Sequence, residues 1–484
     1  MTDTGLAQGW EMVIGLEVHC ELATRTKLFC GCPNAFGDEP NTNVCPVCLG
    51  LPGSLPVLNR HAVELAMRIG TALGCEIRPS TFHRKNYFYP DMPKDFQITQ
   101  YDAPINTGGR LELPDGSTVG IERAHLEEDT GKTTHIGGTG RIGGADYALV
   151  DYNRAGVPLV EIVSAPDVRS AAQARAYAGE LRSILIATGA SDGRMEEGSM
   201  RVDANVSVRR HGEPLGTRCE IKNLNSMRSL LRAITFEADR QVAQLESGER
   251  IVQETRHWDE GEGTTLSMRS KEEANDYRYF PEPDLVALVP DDRWRADVAA
   301  SLPPLPAARR ATLVGLLGGQ PSPAQIDQIR SVVASDLDAI VTSACELGAP
   351  PALALARTAN EVAANAEGAA SLDAGSFAKL LALEAGGELS ATQAKEVLAG
   401  LLVNGGDPAE IARALGFESM RADDLAAVVA GVIEAHPGEW EKFVEGDPKV
   451  AGFLTGQVMK ASGGKANGKS VAAELARLRS GAGT

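Results

Sequence analysis

The segment RAHLEEDTGKTTH, residues 123–135, contains the densest set of side chains that could do chemistry. Three consecutive acids, residues 127–129, lie between His125 and His135, and a Gly-Lys pair follows them. Adjacent like charges repel, so the arrangement gains nothing by itself. Hard divalent ions bind carboxylate oxygens and keep positions open for phosphate, so the segment favours magnesium-dependent phosphoryl transfer. A solvated acidic loop is the alternative, because runs of charge are usually exposed.

Two other segments place acids where strands would hold them. The alternation in MVIGLEVHCEL, residues 12–22, predicts a half-buried strand with Glu17 and His19 on one face, a geometry that could bind a metal ion. Glu161 lies inside the apolar run of residues 158–163, where a buried carboxylate is costly unless it meets a cation or hydrogen-bond donors. Alternatively, the first polar face meets water and Glu161 lies on an exposed edge strand.

Strands and helices must position these acids. Residues 199–210, SMRVDANVSVRR, alternate most regularly, with Asp203 on the polar face and valines on the other. Such a face normally meets solvent, but with the two preceding strands it could equally line a concave sheet. Apolar residues at helical spacing predict helices over residues 60–75 and 175–188 and within residues 219–247, and the first of these is expected to cover the sheet.

The cysteines divide into a cluster and a scattered set. Cys30 and Cys32 are followed by Cys45 and Cys48 on Gly- and Pro-rich turns, the spacing of a tetrahedral zinc site with four thiolate ligands. Since no ligand position is left open, we expect a structural role; paired disulfides are the alternative, disfavoured in a cytosolic chain. The scattered cysteines are expected to be small buried residues: Cys20, Cys75, Cys219 and Cys345.

Two aromatic and basic segments could form further walls of a site. Residues 83–105 combine lysines, an arginine and several aromatic rings with prolines, which suits phosphate, adenine or a nucleic-acid end. Asp276, Arg278 and Tyr279 precede a stiff Phe-Pro-Glu-Pro run and could contribute to the same site. Packed or exposed turns are the alternatives for both segments.

Composition describes a globular protein of several domains. The 484 residues are 43% hydrophobic and 23% charged, and no run of about 18 apolar residues occurs. The start, MTDTGLAQGWEMVIG, resembles no signal peptide, so a cytoplasmic location is expected. The formal charge of −18 argues against nonspecific binding of nucleic acid over the whole surface, although a local basic patch could bind RNA.

Changes in composition predict three domains, at residues 1–300, 301–405 and 406–484. The proline-rich stretch SLPPLPAARRATL begins the second, which is rich in Ala and Leu at helical spacing, and NGGDPAE precedes the third.

The tail is basic in an otherwise acidic chain. It contains three lysines and two arginines but a single acid, Glu474; the lysines are Lys460, Lys465 and Lys469. This excess of positive charge favours contact with RNA phosphates, and a solvated basic tail is the alternative. GGKANGKS, residues 463–470, fits a phosphate-binding P-loop pattern, but the preceding segment reads as helix rather than strand, so we reject that function.

Several long motifs resemble one family over essentially the whole chain. They are IGLEVHCEL, HRKNYFYPDMPKDFQITQYDAPI, HLEEDTGKTTH, PLVEIVSAPD, MEEGSMRVDANVSV, EIKNLNS, DYRYFPEPD and GFLTGQVMKASGGKANGK. The chain resembles the B subunit of the glutamyl/aspartyl-tRNA amidotransferases, the GatB type.

The resemblance implies repair of misacylated tRNA. ATP phosphorylates the side-chain carboxylate of Glu-tRNA(Gln) or Asp-tRNA(Asn), and ammonia from a separate amidase A subunit displaces the phosphate, while a small C subunit stabilises the pair. The implied fold is α+β, with an N-terminal cradle built on a large, mostly antiparallel sheet similar to glutamine synthetase, followed by all-α helical and tail domains. A noncatalytic tRNA-binding scaffold and a ligase for a free small molecule are the rival interpretations.

Matching the family's motifs residue by residue implies a ligand set. Magnesium is expected on His19, Glu128 and Glu161, with Glu17 as an added acid of the same site. The same match makes Lys85 a candidate for phosphate or ammonia-path contacts.

Two further positions complete the implied site. Arg278 is expected to contact ATP, and Asp203 is expected to form part of the active-site wall. Some family members lack the four zinc cysteines, whereas this chain has all of them.

Overall fold

The computed structural model of the protein describes residues 6–137, 144–270, 277–417, 422–462, 466 and 468–482. The chain divides into two compact units, Met1–Ala307 and Ala308–Thr484. The first contains a large sheet covered by helices and the second is helical, which confirms the predicted α+β class. Among the described helices, none has the length and apolar character needed to cross a bilayer.

The first unit contains the strands and the first helices. The strands are β1 Trp10–Glu21, β2 Glu76–Ile77, β3 His83–Asn86, β4 Phe96–Thr99, β5 Asn106–Glu112, β6 Thr118–Glu128, β7 Lys132–Ile136, β8 Tyr147–Asp151, β9 Pro158–Ser164, β10 Met200–Arg210, β11 Cys219–Leu224, β12 Glu254–Asp259, β13 Thr264–Ser270 and β14 Phe280–Pro281. The helices are α1 Arg60–Ala72, α2 Ala171–Ala187, α3 Met227–Glu246, α4 Asp292–Ala300 and, at the end of the unit, the start of α5 Pro306–Leu316.

Twelve strands form one mostly antiparallel sheet. Its order is β13-β12-β11-β10-β1-β9-β6-β4-β3-β14, with β5 paired to β6 and β2 paired to β5, and among the described strands only β11 and β12 pair in parallel. The strands β7 and β8 form a separate pair. β1 therefore lies at the centre, between β10 and β9, and the predicted strand at residues 12–22 is confirmed.

Alternation separates the two faces of this sheet. Leu16 and Val18 are fully buried and join the main apolar cluster, to which α1, α2 and α3 also contribute. The residues between them point to the opposite, polar face, since successive strand side chains alternate. The register sets Glu17 opposite Asp203 on β10 and His19 opposite Glu161 on β9.

The three predicted helices form where capping residues begin them. Asn59, Ser170 and Ser226 each accept hydrogen bonds from backbone N–H groups of the first turn, which otherwise lack partners. The first helix ends at Ala72 rather than at residue 75, because Gly74 takes a positive φ of 66° and turns the chain.

The second unit contains two separate clusters of buried apolar side chains. Its remaining elements are α6 Pro323–Ala334, α7 Asp338–Glu346, α8 Pro351–Arg357, a π-helical turn Thr358–Val362, α9 Ala366–Ser371, α10 Ala374–Gly386, α11 Ala391–Asn404, α12 Pro408–Ala414, α13 Ala422–Ala435, α14 Pro437–Glu445, α15 Pro448–Ala461 and α16 Gly468–Ala482. One cluster extends from Leu313 to Ala412, and the other from Leu425 to Leu475. The three-domain division stays a prediction; α12, placed in the tail by that division, buries Ala412 in the earlier cluster.

Gly70 in α1 provides a test of the packing between α1 and the sheet, and Gly179 in α2 provides its control. A Cβ at Gly70 would lie 1.9 Å from Oδ1 of Asn106, a buried side chain that donates to the carbonyls of Ala66 and Ala124. A Cβ at Gly179 in α2 would meet nothing within 4 Å. We expect Gly70→Ala to lower the free energy of unfolding by about 1–3 kcal/mol through overpacking. Gly179→Ala should raise it by about 0.5–1 kcal/mol through helix propensity.

Chemical denaturation of each variant measures both changes. The two substitutions are identical in chemistry and both lie in helices, so propensity alone predicts the same sign for both. Stabilisation of the chain by Gly70→Ala would contradict the close approach of α1 to Asn106.

Candidate active site

Three neighbouring strands bring one imidazole and two carboxylates together on the polar face. His19 on β1 lies opposite Glu161 on β9, and Glu127 lies on β6, the next strand. Nε2 of His19 is 3.7 Å from Oε2 of Glu161 and 3.9 Å from Oε1 of Glu127. One ligand atom from each of the three lies within 4.8 Å of the others, so the group could hold a metal ion.

Glu128, which the sequence resemblance places among the magnesium ligands, lies outside this cluster. Successive residues of β6 point to opposite faces, so Glu127 joins His19 while Glu128 points the other way. The Glu128 carboxylate is 2% exposed, forms an ion pair with Lys94 and accepts a hydrogen bond from the backbone N–H of Ile98 at 3.1 Å. Glu127, and not Glu128, therefore lies beside His19 and Glu161.

His125 completes the cluster, and the sequence reasoning did not single it out as a site residue. It is fully buried, lies opposite Glu161 on the other side of β9, and neither ring nitrogen has a hydrogen-bond partner among the described residues. Its Nε2 lies 3.8 Å from Oε2 of Glu161 and 3.9 Å from Oε2 of Glu127. Its spacing of two residues from Glu127 on the same strand was the available signal.

Burial and mutual repulsion separate the protonation behaviour of these groups. Burial, followed by repulsion from Glu161, raises the pKa of Glu127 to about 7. Burial opposes ionisation of Glu161 too, but the imidazoles of His19 and His125 and the charge of Lys85 hold its pKa well below the usual range. Burial lowers the pKa of His125 to about 4, so this ring is neutral near pH 7. Without a bound cation, Glu161 is therefore easier to ionise than Glu127, and the two carboxylates resist carrying two negative charges together.

The polar face continues from His19 towards Glu17. Burial, with repulsion from Glu161 next, raises the pKa of Glu17, whose Oε1 accepts a hydrogen bond from Nδ2 of Asn205 at 3.0 Å. Asp203 is paired with Lys222 at 2.6 Å. A cavity of about 220 Å³ lies beside Glu17 and is lined also by Asn205 and Ser207. The two sequence-predicted acids therefore lie on the cluster's own sheet face, and Glu17 borders a small cavity.

Lys85 and the tyrosines form another side of the same region. Nζ of Lys85, on β3, lies 5.1 Å from the ring centre of Tyr277 and 5.8 Å from that of Tyr87. Burial has the largest effect on Glu127 and Glu161 and raises the pKa of each. The positive charge of Lys85 is close enough to act in the opposite direction and lower both pKa values.

The segment that contains Arg278 is described only from residue 277. The side chain of Arg278 is exposed, its φ is positive at 45°, and its carbonyl accepts a hydrogen bond from Nδ2 of Asn86 at 2.8 Å. Tyr279 stacks on Tyr101 with a centroid distance of 5.2 Å. Asp276, the third residue of the predicted wall, lies outside the described residues.

The four clustered cysteines converge as their spacing predicts. All cysteines of the chain are free thiols, and the sulfurs of Cys30, Cys32, Cys45 and Cys48 lie within 4.8 Å of one another. Lys27, fully buried, places Nζ 3.7 Å from Sγ of Cys48 and 3.2 Å from the Tyr152 carbonyl. The group has the donors of a tetrahedral metal site with a cation beside it.

Of the scattered cysteines, two are buried as expected, Cys20 and Cys219, while Cys75 and Cys345 are half-buried. In the tail, Lys460 is an exposed residue of α15 and lines a surface cavity with His436. Lys465 lies outside the described residues, and for Lys469 only the backbone, in α16, is described.

Comparisons with known proteins agree over both units. Residues 12–296 match the family model described as the GatB/GatE catalytic domain, and residues 340–478 match the one described as the GatB domain. The chain is 50% identical over 96% of its length to the B subunit of the aspartyl/glutamyl-tRNA(Asn/Gln) amidotransferase of Frankia casuarinae, of which it covers 94%. The B subunit of Salinispora arenicola is 49% identical to this chain, over 96% of this chain and 95% of the relative. The B subunit of Moorella thermoacetica is 48% identical, over 95% of this chain and 97% of the relative.

Neighbouring glutamates on opposite faces of β6 provide a matched test of the cluster. We expect Glu127→Gln to weaken binding of Mn²⁺, a spectroscopic substitute for Mg²⁺, by about tenfold or more, because an anionic oxygen ligand is lost. Glu128→Gln should leave that affinity unchanged. It should instead destabilise the fold by about 3–5 kcal/mol, because the buried Lys94 charge loses its partner.

Electron paramagnetic resonance of free Mn²⁺ measures the affinity, and denaturation measures the stability. If Glu128→Gln abolished Mn²⁺ binding in folded protein while Glu127→Gln did not, the ligand set would be the one expected from the sequence.

Proposed function

The chain belongs to the GatB family of tRNA-dependent amidotransferase subunits, and from this membership we propose that it converts Glu-tRNA(Gln), Asp-tRNA(Asn) or both into the corresponding amides. The side-chain carboxylate on the tRNA is first phosphorylated by ATP and then amidated by ammonia. The protein thus acts as a carbon–nitrogen ligase, with glutamine as the amide donor through a partner.

The observation that carries this proposal is the meeting of His19, Glu127 and Glu161 on one polar sheet face. Two carboxylates and one imidazole fit a divalent cation, and they leave coordination positions for phosphate oxygens. When bound there, magnesium would neutralise the charge that develops on the transferred phosphoryl group. The nearby Lys85 adds a positive charge for the same phosphates, and Arg278 is proposed to contact the nucleotide.

The two steps balance without a protein nucleophile. In the first, a carboxylate oxygen of the substrate attacks the γ-phosphorus of ATP, the bond to the bridging oxygen breaks, and ADP leaves. In the second, ammonia attacks the acyl carbon, the bond to the phosphate oxygen breaks, and inorganic phosphate leaves as the nitrogen loses a proton. The chain's residues need only hold and orient the reactants.

The intermediate acyl phosphate reacts with water, so ammonia should arrive by a closed route. The cavity beside Glu17 is the candidate end of this route, since Asn205 and Ser207 supply hydrogen-bonding groups along its wall. Asp203 and Lys222 extend the polar surface next to it. We propose that an amidase A subunit produces the ammonia from glutamine and that a small C subunit stabilises the pair.

We propose structural zinc at the four cysteines. Four thiolates around one Zn²⁺ have a net charge of −2, and the buried Lys27 ammonium beside Cys48 offsets part of it. The site leaves no position for substrate, so its role is to hold the loop between the cysteine pairs.

We propose that the basic tail binds tRNA in the cytoplasm, where translation takes place. Lys460 is exposed, and Lys465 and Lys469 belong to the same predicted set. Phosphate contacts by such lysines give affinity without base specificity.

Full-length protein with ATP, misacylated tRNA and ammonium ion as nitrogen source tests the catalytic proposal. We expect ADP and amide formation in equal amounts, and a loss of about 100-fold or more in both for Glu161→Gln, because the cation site loses an anionic ligand. Binding of tRNA by this variant should be unchanged.

Two controls separate the rival functions in this assay. Unchanged amidation by Glu161→Gln would indicate a noncatalytic scaffold, whereas amidation of free glutamate at the rate of Glu-tRNA would indicate a small-molecule ligase. Assays on Glu-tRNA(Gln) and Asp-tRNA(Asn) identify the substrate.

The tail proposal is tested by the salt dependence of tRNA binding. We expect Lys460→Ala to weaken binding and to reduce the slope of log K against log salt concentration by about 1, because one phosphate contact is lost. Lys395→Ala is the matched control, since Lys395 is exposed but paired with Glu361 in the helical region before the tail. Equal slopes for Lys460→Ala and the unmodified protein would remove Lys460 from the RNA surface.

A further inference from the structure

Arg123 is a largely buried arginine with one buried donor, Nε, that no described residue satisfies. It lies on β6 two residues before His125, on the same polar face, and its side chain is 23% exposed. Its Nε is buried and has no hydrogen-bond partner among the described residues. The nearest acidic oxygens are Oε1 of Glu161 at 3.7 Å and Oε2 of Glu122 at 3.8 Å, both beyond ordinary hydrogen-bond distance.

Other arginines on this face find their partners. Arg201 donates to Asp129 at 2.8 Å and to Glu21 at 3.3 Å. Arg209, with the same 23% exposed fraction as Arg123, donates to Glu11 at 2.8 Å and to the Glu213 carbonyl at 3.0 Å. An arginine has five N–H donors, and leaving even one of them unpaired in a buried position is costly. Arg123 is therefore arranged for an acceptor that the described residues do not supply.

Aromatic stacking holds the Arg123 guanidinium in place. Its central carbon lies 4.9 Å from the ring centre of Tyr101, and Tyr101 stacks on Tyr279 with ring planes 13° apart. The guanidinium thus lies over an aromatic face, a contact that uses none of its N–H groups. This arrangement differs from a solvated surface arginine, whose donors are satisfied by water.

The position of Arg123 relative to the cluster indicates which acceptor fits. The two oxygens of Glu161 face different neighbours: Oε2 faces His19 and His125, whereas Oε1 faces Arg123. An anion held by a cation at the cluster would therefore have the guanidinium of Arg123 close to it. Two carboxylates balance a divalent cation, so an added phosphoryl group brings negative charge, which the Arg123 guanidinium would offset together with Lys85.

We propose that Arg123 is a further catalytic residue that binds the oxygens of the phosphoryl group as it passes from ATP to the substrate carboxylate. The inference rests on the proposed function and deepens it, by assigning a cation beside the proposed metal ligands that meets the transferred group. The guanidinium stays protonated throughout and transfers no proton. Its planar pair of N–H groups matches two phosphoryl oxygens, which a lysine at this position would not.

The kinetic test compares Arg123→Ala, Arg123→Lys and the control Arg209→Ala in the full-length protein. We expect Arg123→Ala to lower kcat for tRNA-dependent ADP formation by about 100- to 1,000-fold, with KM for ATP changed by less than about threefold. Arg123→Lys should recover part of the loss. Added guanidinium ion should restore activity to Arg123→Ala but not stimulate Arg209→Ala, a response that a purely structural role would not produce.

A binding measurement without turnover gives a second readout. ADP with magnesium and aluminium fluoride mimics the phosphoryl group in transfer, and its retention can be measured by calorimetry. We expect Arg123→Ala to weaken binding of the fluoride complex by about 100-fold or more and to change ADP binding by less than about threefold. Arg209→Ala should bind both as the unmodified protein does, and thermal unfolding shows whether each variant is folded.

Each outcome decides the assignment. Unchanged kcat and fluoride binding for Arg123→Ala would overturn it, while loss of activity in Glu161→Gln would leave the proposed function standing. A raised KM for misacylated tRNA with unchanged fluoride binding would mean that Arg123 binds the substrate carboxylate, which also overturns it. If the unmodified protein forms no ADP and retains no fluoride complex, the proposed function and this inference both fail.

Discussion

The register of β1, β9 and β6 is the constraint on which the candidate site depends. Residues directly opposite on antiparallel strands have Cβ atoms about 4.5–5.5 Å apart. Pairing Glu161 with His19 on one side and His125 on the other therefore collects side chains that are far apart in the chain. A slip of one residue in any of these strands would turn its polar side chains into the helix-covered core.

The same two-sided sheet determines the electrostatics. Helices bury one face, so the polar groups collect on the other, where burial makes each unpaired charge costly. Asp129 meets this cost by pairing with Arg201 and Arg154, which outweigh burial and lower its pKa to about 2. Glu127 and Glu161 repel each other, and the groups near them are two imidazoles, the charge of Lys85 and the Arg123 guanidinium 3.7 Å from Glu161. The fold thus holds two buried carboxylates and two imidazoles in fixed positions at one place, which is how a preorganised cation site arises.

The cysteine site and the candidate active site meet at the end of β6. A Cβ built on Gly156 would lie within 3.7 Å of Cys48, Glu128 and Lys27, and Gly156 has a positive φ of 83°. Glu128 and Glu127 are adjacent, so the ion pair of Glu128 with Lys94 fixes the strand end that presents Glu127 to His19. Glu128, on the core side of β6, therefore helps to position Glu127 on its polar side.

The sequence by itself determined the periodic features: the strand with Glu17 and His19 on one face, the three helices and the cysteine pairs. It also carried the family, because long motifs specify it without any structure. It did not distinguish Glu127 from Glu128, since adjacent acids are equivalent until the neighbouring strand fixes which face of β6 is polar. Only the tertiary structure showed that His125 is buried between two carboxylates and that Nε of Arg123 lacks a hydrogen-bond partner among the described residues. Both facts depend on distances between strands that are remote in the chain.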